Sequence, residues 1–327
     1  MRALAALIPA GLGLAVAMAL SMPAQGQGKQ LVQANAALQA GEADKALALL
    51  EPLAQPGGVA EAYNLRCRVE YTLEQWDKAA SDCEQAVKLD GQSSDNHMWL
   101  ARALGEKARK ATFLNAYSLA KRVRTEFEEA VRLNPRNASA LADLGEFYYS
   151  APGVVGGGIN KSEAVAAELD RIDSARAHEL RGRIAEQRKD YGTAERELKQ
   201  AIAASVHPAN QWMTLAGFYR GRQRWAEMES AVRSGESAAQ RDKRAGVALY
   251  NGASLLRETG RDPVRAAKML ESYLADSAKT EEGPAFVAHV WLAQLKKQLG
   301  DTAAASRERT AALAMAREYK PARDLKY

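Results

Sequence analysis

Spacing constrains this chain more than composition does. From Ala60 to Gly91 it reads AEAYNLRCRVEYTLEQWDKAASDCEQAVKLDG, two short amphipathic helices with a turn near Gln75. Counting from Ala60, Tyr63 stands fourth, Cys67 eighth, Trp76 seventeenth, Ala79 twentieth, Cys83 twenty-fourth and Ala86 twenty-seventh. Small residues at the eighth and twentieth positions let the two helices approach closely, and aromatics fill the space between hairpins. One such hairpin cannot bury its apolar stripe alone, so it needs neighbours of the same kind.

The neighbours are present. A first unit covers Lys29 to Gln55, with Ala34, Ala37, Ala46, Leu50 and Leu53 at contact positions and Gly41 at the turn. A third has Trp99 and Ala103, then Val123, Phe127 and Ala130, closed by Asn134-Pro135. It is about eight residues too long. The excess, EKARKATFLNAYSLAKRVR, keeps an apolar face of Phe113, Leu114, Tyr117 and Leu119, which predicts extended helices or an inserted helical turn. A fourth has Leu141, Leu144, Gly145 and Tyr148 before a Gly-rich loop over 151–161, after which Ser162 is expected to cap a helix from Glu163 to Ile172. Gly182, Tyr191, Ala194, Leu198 and Ala201 mark the fifth, and Trp212, Leu215, Ala216, Tyr219, Trp225, Met228 and Val232 the sixth. The seventh carries Leu249, Ala253, Gly260, Ala266, Leu270 and Tyr273, and the eighth Leu292, Ala293, Gly300, Ala305 and Ala312. Units therefore start near 27, 60, 96, 138, 175, 209, 246 and 286, and the array is expected to span 27–319, its last helix reaching toward Tyr319, before a frayed polar tail at 320–327.

This pattern resembles the tetratricopeptide repeat (TPR) over nearly all of 27–319. Two stretches, EFEEAVRLNPRN and GEFYYSAPGVVGGGINKSEA, also resemble a group of exported bacterial TPR proteins of largely unassigned role. The fold class expected is all-α, a right-handed superhelical solenoid of about eight TPR-like helix–turn–helix units. The resemblance implies a concave groove lined by the first helix of each unit, whose usual work is binding peptides or protein partners.

Residues 1–26 read as a cleavable secretory leader. Arg2 supplies the positive end, Ala3 to Leu20 the apolar run, and Ala24 or Gly26 a small residue before cleavage. Pro9, Gly11, Gly13 and the polar QGQGKQ beyond argue against an uncleaved anchor, and no second apolar stretch is long enough to span a membrane. The expected location is periplasmic. The net charge is +5, or +4 without Arg2, with both signs interspersed. That describes a solvated helical surface and not a nucleic-acid footprint.

Catalytic and cofactor chemistry find no support. At the Gly-rich loop Lys161-Ser162 is present, but Val155 and Asn160 stand where a P-loop requires glycine, and no strand precedes it. The loop is expected to join two separated helices, its Val154, Val155 and Ile159 either folding back over the adjacent unit or meeting a partner. His97, His178, His207 and His289 have no metal-ligand spacing. No enzyme, cofactor or metal is expected.

Cys67 and Cys83 are the only cysteines. An oxidising compartment favours pairing where geometry permits. In an antiparallel hairpin the eighth position faces the twentieth, so the twenty-fourth lies about one turn off, which opposes a bridge; small side chains and helix tilt favour one. A bridge would stabilise by about 3 kcal/mol in the chain-entropy model. Unbridged, both are small buried hydrophobes.

The groove-facing positions, near the fifth, ninth and twelfth of each unit, are Asn64, Arg68, Tyr71, Glu146, Tyr149, Glu179, Arg183, Glu186, Met213, Arg220, Tyr250 and Arg257. Arg and Tyr there suit carboxylate contacts and amphipathic stacking, although any exposed helix face carries such residues. The expected function is a non-catalytic periplasmic scaffold that binds a protein or peptide partner, in envelope assembly or maintenance. The alternative is a small-molecule or glycan binder, with the Gly-rich loop as a lid. Oligomeric state is not written in these residues.

Overall fold

The computed structural model describes residues 24–242 and 245–326. The expected leader therefore lies almost wholly outside the described residues. The rest is helical and arranged in pairs. The hairpins are α1 (Ala24–Gln39) with α2 (Ala43–Leu50), α3 (Ala60–Thr72) with α4 (Trp76–Leu89), α5 (Ser94–Lys110) with α6 (Phe113–Leu133), and α7 (Ala138–Ser150) with α8 (Ile159–Leu169). Next come α9 (Ser174–Gln187) with α10 (Tyr191–Ala204), α11 (Ala209–Gly221) with α12 (Trp225–Arg241), α13 (Gly246–Thr259) with α14 (Pro263–Ala275), and α15 (Ala285–Gln298) with α16 (Thr302–Met315). Each hairpin packs on the next, so the described residues form an all-α solenoid of eight paired units.

The hairpin turns share one device. In five units the residue two past the first helix adopts positive φ: Gly41, Glu74, Lys189, Gln223 and Gly300. The amide after it bonds back to a carbonyl five residues earlier, as Asp190 N to Ala185 O at 2.9 Å and Asp301 N to Lys296 O at 2.9 Å. This is the Schellman closure that satisfies the last carbonyls of a helix.

Units three and four depart from it. The extra residues of unit three lengthen both helices, α5 to 17 residues and α6 to 21. In unit four, helix α8 begins at Ile159 and not after Ser162. Ser162 is no cap: it is fully buried and its hydroxyl donates to Gly145 O at 2.8 Å, pinning α8 to α7. Gly158 N donates to Tyr148 O at 2.7 Å, and the helix starts four residues earlier than the Ser-as-cap pattern suggests. A 3₁₀ turn at Gly153–Val155 packs on α6, burying Val155 and leaving Val154 exposed. The C-terminus also differs from expectation. Helix α16 stops at Met315, a turn follows, and α17 (Lys320–Asp324) docks back with Tyr319 and Ala322 buried.

The Cys67–Cys83 disulfide is formed, with Cα atoms 5.4 Å apart. The two helices thus meet at the eighth and twenty-fourth positions more closely than antiparallel register implies.

The core runs in a ring. One buried cluster extends from Cys67 in unit two through Leu141 and Leu169 to Ile184 in unit five. The other runs from Ala185 through Phe218, Leu256 and Phe286 to Tyr319, and continues into Leu31, Leu50 and Val69 of units one and two. The last units therefore pack on the first. Gly41 lies so close to α15 that a β-carbon there would stand 2.5 Å from Ala285 N. Asp44 accepts from Arg317 N at 3.1 Å and Arg317 Nε at 3.0 Å, and Gln39 Oε1 accepts from Glu281 N at 3.1 Å.

Candidate functional site: a central aromatic and acidic cavity

Ring closure turns the concave face into a cavity of about 750 Å³. Its walls come mainly from α3, α5, α7, α13 and α15, with Trp76 at the start of α4, Val123 and Phe127 of α6, and Tyr319 reaching in from the C-terminal turn. These are mostly first helices of their hairpins, so the inner face is built from one repeated stripe. The lining is aromatic. Tyr71 meets Trp76 edge-on at 5.1 Å and Trp99 at 5.6 Å, while Tyr250 stacks on Trp291 at 4.4 Å. Tyr319 packs edge-on against Phe286 at 4.8 Å.

The charge in the cavity is acidic. Glu74, Glu106, Asp143, Glu146, Glu281 and Glu282 line it, against Arg102 and Arg109. Three carboxylates are matched. Arg102 Nε donates to Asp143 at 2.6 Å, Arg109 pairs with Glu106 at 2.7 Å, and Arg68 grips Glu281 through two bonds of 2.9 and 2.5 Å. Glu146 and Glu282 hold no cation within bonding distance, and Glu74 only accepts from the Tyr319 hydroxyl at 3.3 Å. Partial desolvation by the crowded wall, then the Asp143 charge, raises the Glu146 pKa from its ordinary value, although the side chain remains accessible to solvent. Burial raises Asp143 too, against the pull of Arg102. Tyr71 is pushed up to about 12 by burial and by Glu106, so it stays a neutral donor. The unmatched carboxylates and electron-rich rings together suit a cation.

Of the twelve groove residues read from sequence, the structure brings Tyr71, Glu146 and Tyr250 together in this cavity. Arg68 and Arg257 brace its wall, their guanidinium groups 5.3 Å from the Trp99 ring and 4.6 Å from the Trp291 ring. The others lie elsewhere. Met213 is a correction: it is core, 3% exposed, with its thioether and methyl against Gly235 and Gly252. Asn64 is buried and donates to Asn96 Oδ1 at 3.0 Å, a bridge between units repeated by Asn251 to Asn210 at 2.7 Å. Glu179 accepts from the Thr214 hydroxyl at 3.3 Å, Arg183 pairs with Glu186 at 3.3 Å, and Arg220 pairs with Glu258. Tyr149 is half-buried outside the lining and is held up at about 12 by burial and Glu146.

The sequence reading missed Trp76, Trp99 and Trp291 as site residues. The repeat spacing places Trp76 and Trp99 in the packing between hairpins, and in the structure both also line the cavity. Tyr319 and Glu281 were missed because they enter through the C-terminal turn and the α14–α15 connection, outside the repeat positions. The Gly-rich loop contributes no lining residue, so it is not a lid on this cavity.

Each histidine is paired with one acid: His97 with Glu126, His178 with Glu197, His207 with Asp242 and His289 with Glu308. Three of these pairs tie the two helices of a hairpin together. Among the described residues no group of three or more His, Cys, Asp or Glu converges as a metal site. Nor is any described helix long and apolar enough to cross a membrane.

No protein-family model and no curated protein matches the sequence. Solved structures do match in shape. A thermophilic TPR protein from Thermus thermophilus superposes with a TM-score of 0.50 at 17% identity, covering 59% of this chain and 98% of that one. A tetratricopeptide repeat protein from Parabacteroides merdae gives 0.42 at 13% identity over 92% and 97% of the two chains. The C-terminal part of a TPR repeat-containing protein from Cytophaga hutchinsonii gives 0.42 at 15% over 91% and 100%. Eight stacked hairpins with this helix pairing, and the likeness to the Thermus protein, make the fold of this chain a TPR-like all-α solenoid.

Proposed function

We propose that this chain is a non-catalytic scaffold that binds a protein or peptide partner by taking a basic segment of it into the central cavity. The carrying observation is that cavity itself: aromatic faces beside six carboxylates, against two arginines, with Glu146 and Glu282 uncompensated. A Lys or Arg side chain entering it gains ring faces and unpaired carboxylates at once. The proposed setting is the periplasm, in envelope assembly or maintenance. The leader-like residues 1–26 support that setting, and so does the Cys67–Cys83 disulfide, a bond that persists in oxidising compartments.

Titration calorimetry of the purified chain with Lys/Arg-rich peptides and with acidic peptides of equal length tests the reading. Basic peptides should bind, acidic ones should not, and Glu146→Gln with Glu282→Gln should weaken binding by about tenfold, a loss of roughly 1.4 kcal/mol. Equal binding of both peptide classes, or of neither, defeats it. The volume of about 750 Å³ also falls in the range of small-ligand pockets, which favours a second reading as a small-molecule or glycan binder. Thermal stabilisation by neutral glycans, with no response to basic peptides, would select that reading.

A further inference from the structure

The elongated α5–α6 hairpin lines the cavity with α5 as far as Arg109 and with Val123 and Phe127 of α6, but the residues of its tip from Lys110 to Leu119 take no part in it. Between Leu104 and Val123 no residue is fully buried, and Leu119 is the last residue of α6 toward the tip that still packs on the core. From Leu119 back to Phe113 is six residues of helix, about 9 Å of projection at 1.5 Å per residue. The tip carries Phe113 and Leu114, 86% and 79% exposed. Isolated surface hydrophobes are ordinary, but two adjacent large ones at the end of a projecting hairpin are not.

The charge around the tip is one-sided. From Lys107 to Thr125 there is no acidic residue, while Lys107, Arg109, Lys110, Lys121, Arg122 and Arg124 are all basic. Nearer the core the cations are matched: Lys107 with Asp77, Arg122 with Glu84 and Arg124 with Glu128. Lys110 and Lys121 meet only rings, at 5.2 Å from Trp76 and 4.9 Å from Tyr117. Four-residue spacing puts Phe113, Tyr117 and Lys121 on one stripe of α6. Read from the tip inward, that stripe is apolar, then amphipathic aromatic, then cationic. A bilayer presents the same order to an entering surface: hydrocarbon, interface, phosphate.

We propose that the α5–α6 tip docks on an anionic phospholipid surface, with Phe113 and Leu114 entering the acyl boundary and Lys110 and Lys121 on lipid phosphates. The hairpin wedges into one leaflet and does not span it. Docking leaves the cavity free, since neither Phe113 nor Leu114 lines it.

The test is flotation of the whole chain with phosphatidylcholine vesicles, with and without phosphatidylglycerol. Cys67 and Cys83 are bonded to each other, so Leu114→Cys supplies a free thiol for an environment-sensitive fluorophore. Expected are flotation only with phosphatidylglycerol, release on raising salt, and a blue-shifted, brighter probe at position 114. Phe113→Ser with Leu114→Ser should cut the bound fraction about tenfold, and Lys110→Glu with Lys121→Glu should abolish the lipid preference. All four side chains are solvent-exposed, and an unchanged melting temperature shows that the variants fold. Equal flotation of the Phe113/Leu114 variant and wild type overturns the proposal. So does a wild type that ignores phosphatidylglycerol, or a dimer that this variant dissolves while vesicles capture nothing.

Discussion

Glu70 sits on α3 beside the disulfide, 7% exposed, facing Asp82 on α4. Arg66 is committed to Asp82, with one bond of 2.6 Å, and to Ala54 O at 2.9 Å. Burial, and then the Asp82 charge, push the Glu70 carboxyl from 4.5 up to about 8. A folded-state pKa above the unfolded one means the native state binds the proton more tightly. The stability this contributes is complete below pH 4.5 and is lost as pH rises toward about 8. Glu70→Gln mimics the protonated form. Its thermal unfolding should match wild type in acid and exceed it by about 2 kcal/mol in mild alkali. Parallel pH profiles for the two proteins would show that Glu70 ionises freely. The two cysteines and their shared unit were legible from spacing alone. The Glu70–Asp82 encounter was not, because position numbers along a helix do not say which acidic residues of the facing helix they meet.

At the scale of the hairpin, repetition was what the sequence made plain. Cys67, Ala103, Gly145, Gly182, Ala216 and Ala253 are small because a neighbouring helix passes there; a β-carbon at Gly145 would stand 2.4 Å from a Leu180 methyl. Helix starts were harder to read: Ser162 looks like a cap and instead bonds a carbonyl of α7. The turns give a prediction of their own. Gly41 and Gly300 occupy the positive-φ site of their units, but Lys189 occupies it in unit five at φ 63°. A residue with a β-carbon is strained there by roughly 1–2 kcal/mol, partly offset by the greater freedom that glycine loses on folding. The Lys189 side chain is exposed and bonds nothing in the structure, so little else changes on its removal. Lys189→Gly should stabilise the chain by about 0.5–1 kcal/mol in urea unfolding with the slope unchanged. A loss of stability would show that the turn is relaxed with a side chain in place.

Across the whole molecule, the property least legible in the sequence is closure. Each hairpin is rotated slightly against the last, and small rotations accumulate over eight units. Whether the ends meet depends on that sum and not on any single motif. The expected open groove therefore becomes a cavity, and several residues chosen for a groove become structural. Arg68 is the clearest case. It was expected to grip a partner's carboxylate, and it grips Glu281, 213 positions away, with both groups largely screened from solvent. A bidentate, partly buried pair is worth more than a surface ion pair, and losing one member leaves the other unmatched. Arg68→Ala should cost about 1–3 kcal/mol. If this pair holds the ring shut, small-angle scattering should also show a larger radius of gyration, and basic peptides should bind less tightly because Tyr71 and Trp291 no longer face each other across one cavity. The double variant Arg68→Ala with Glu281→Ala separates pairing from packing. A coupling of about 1 kcal/mol or more assigns the effect to the pair. Additive losses with an unchanged scattering profile would place closure in the apolar contacts of Gly41, Phe286 and Tyr319 instead, and the cavity would then tolerate the loss of its salt bridge.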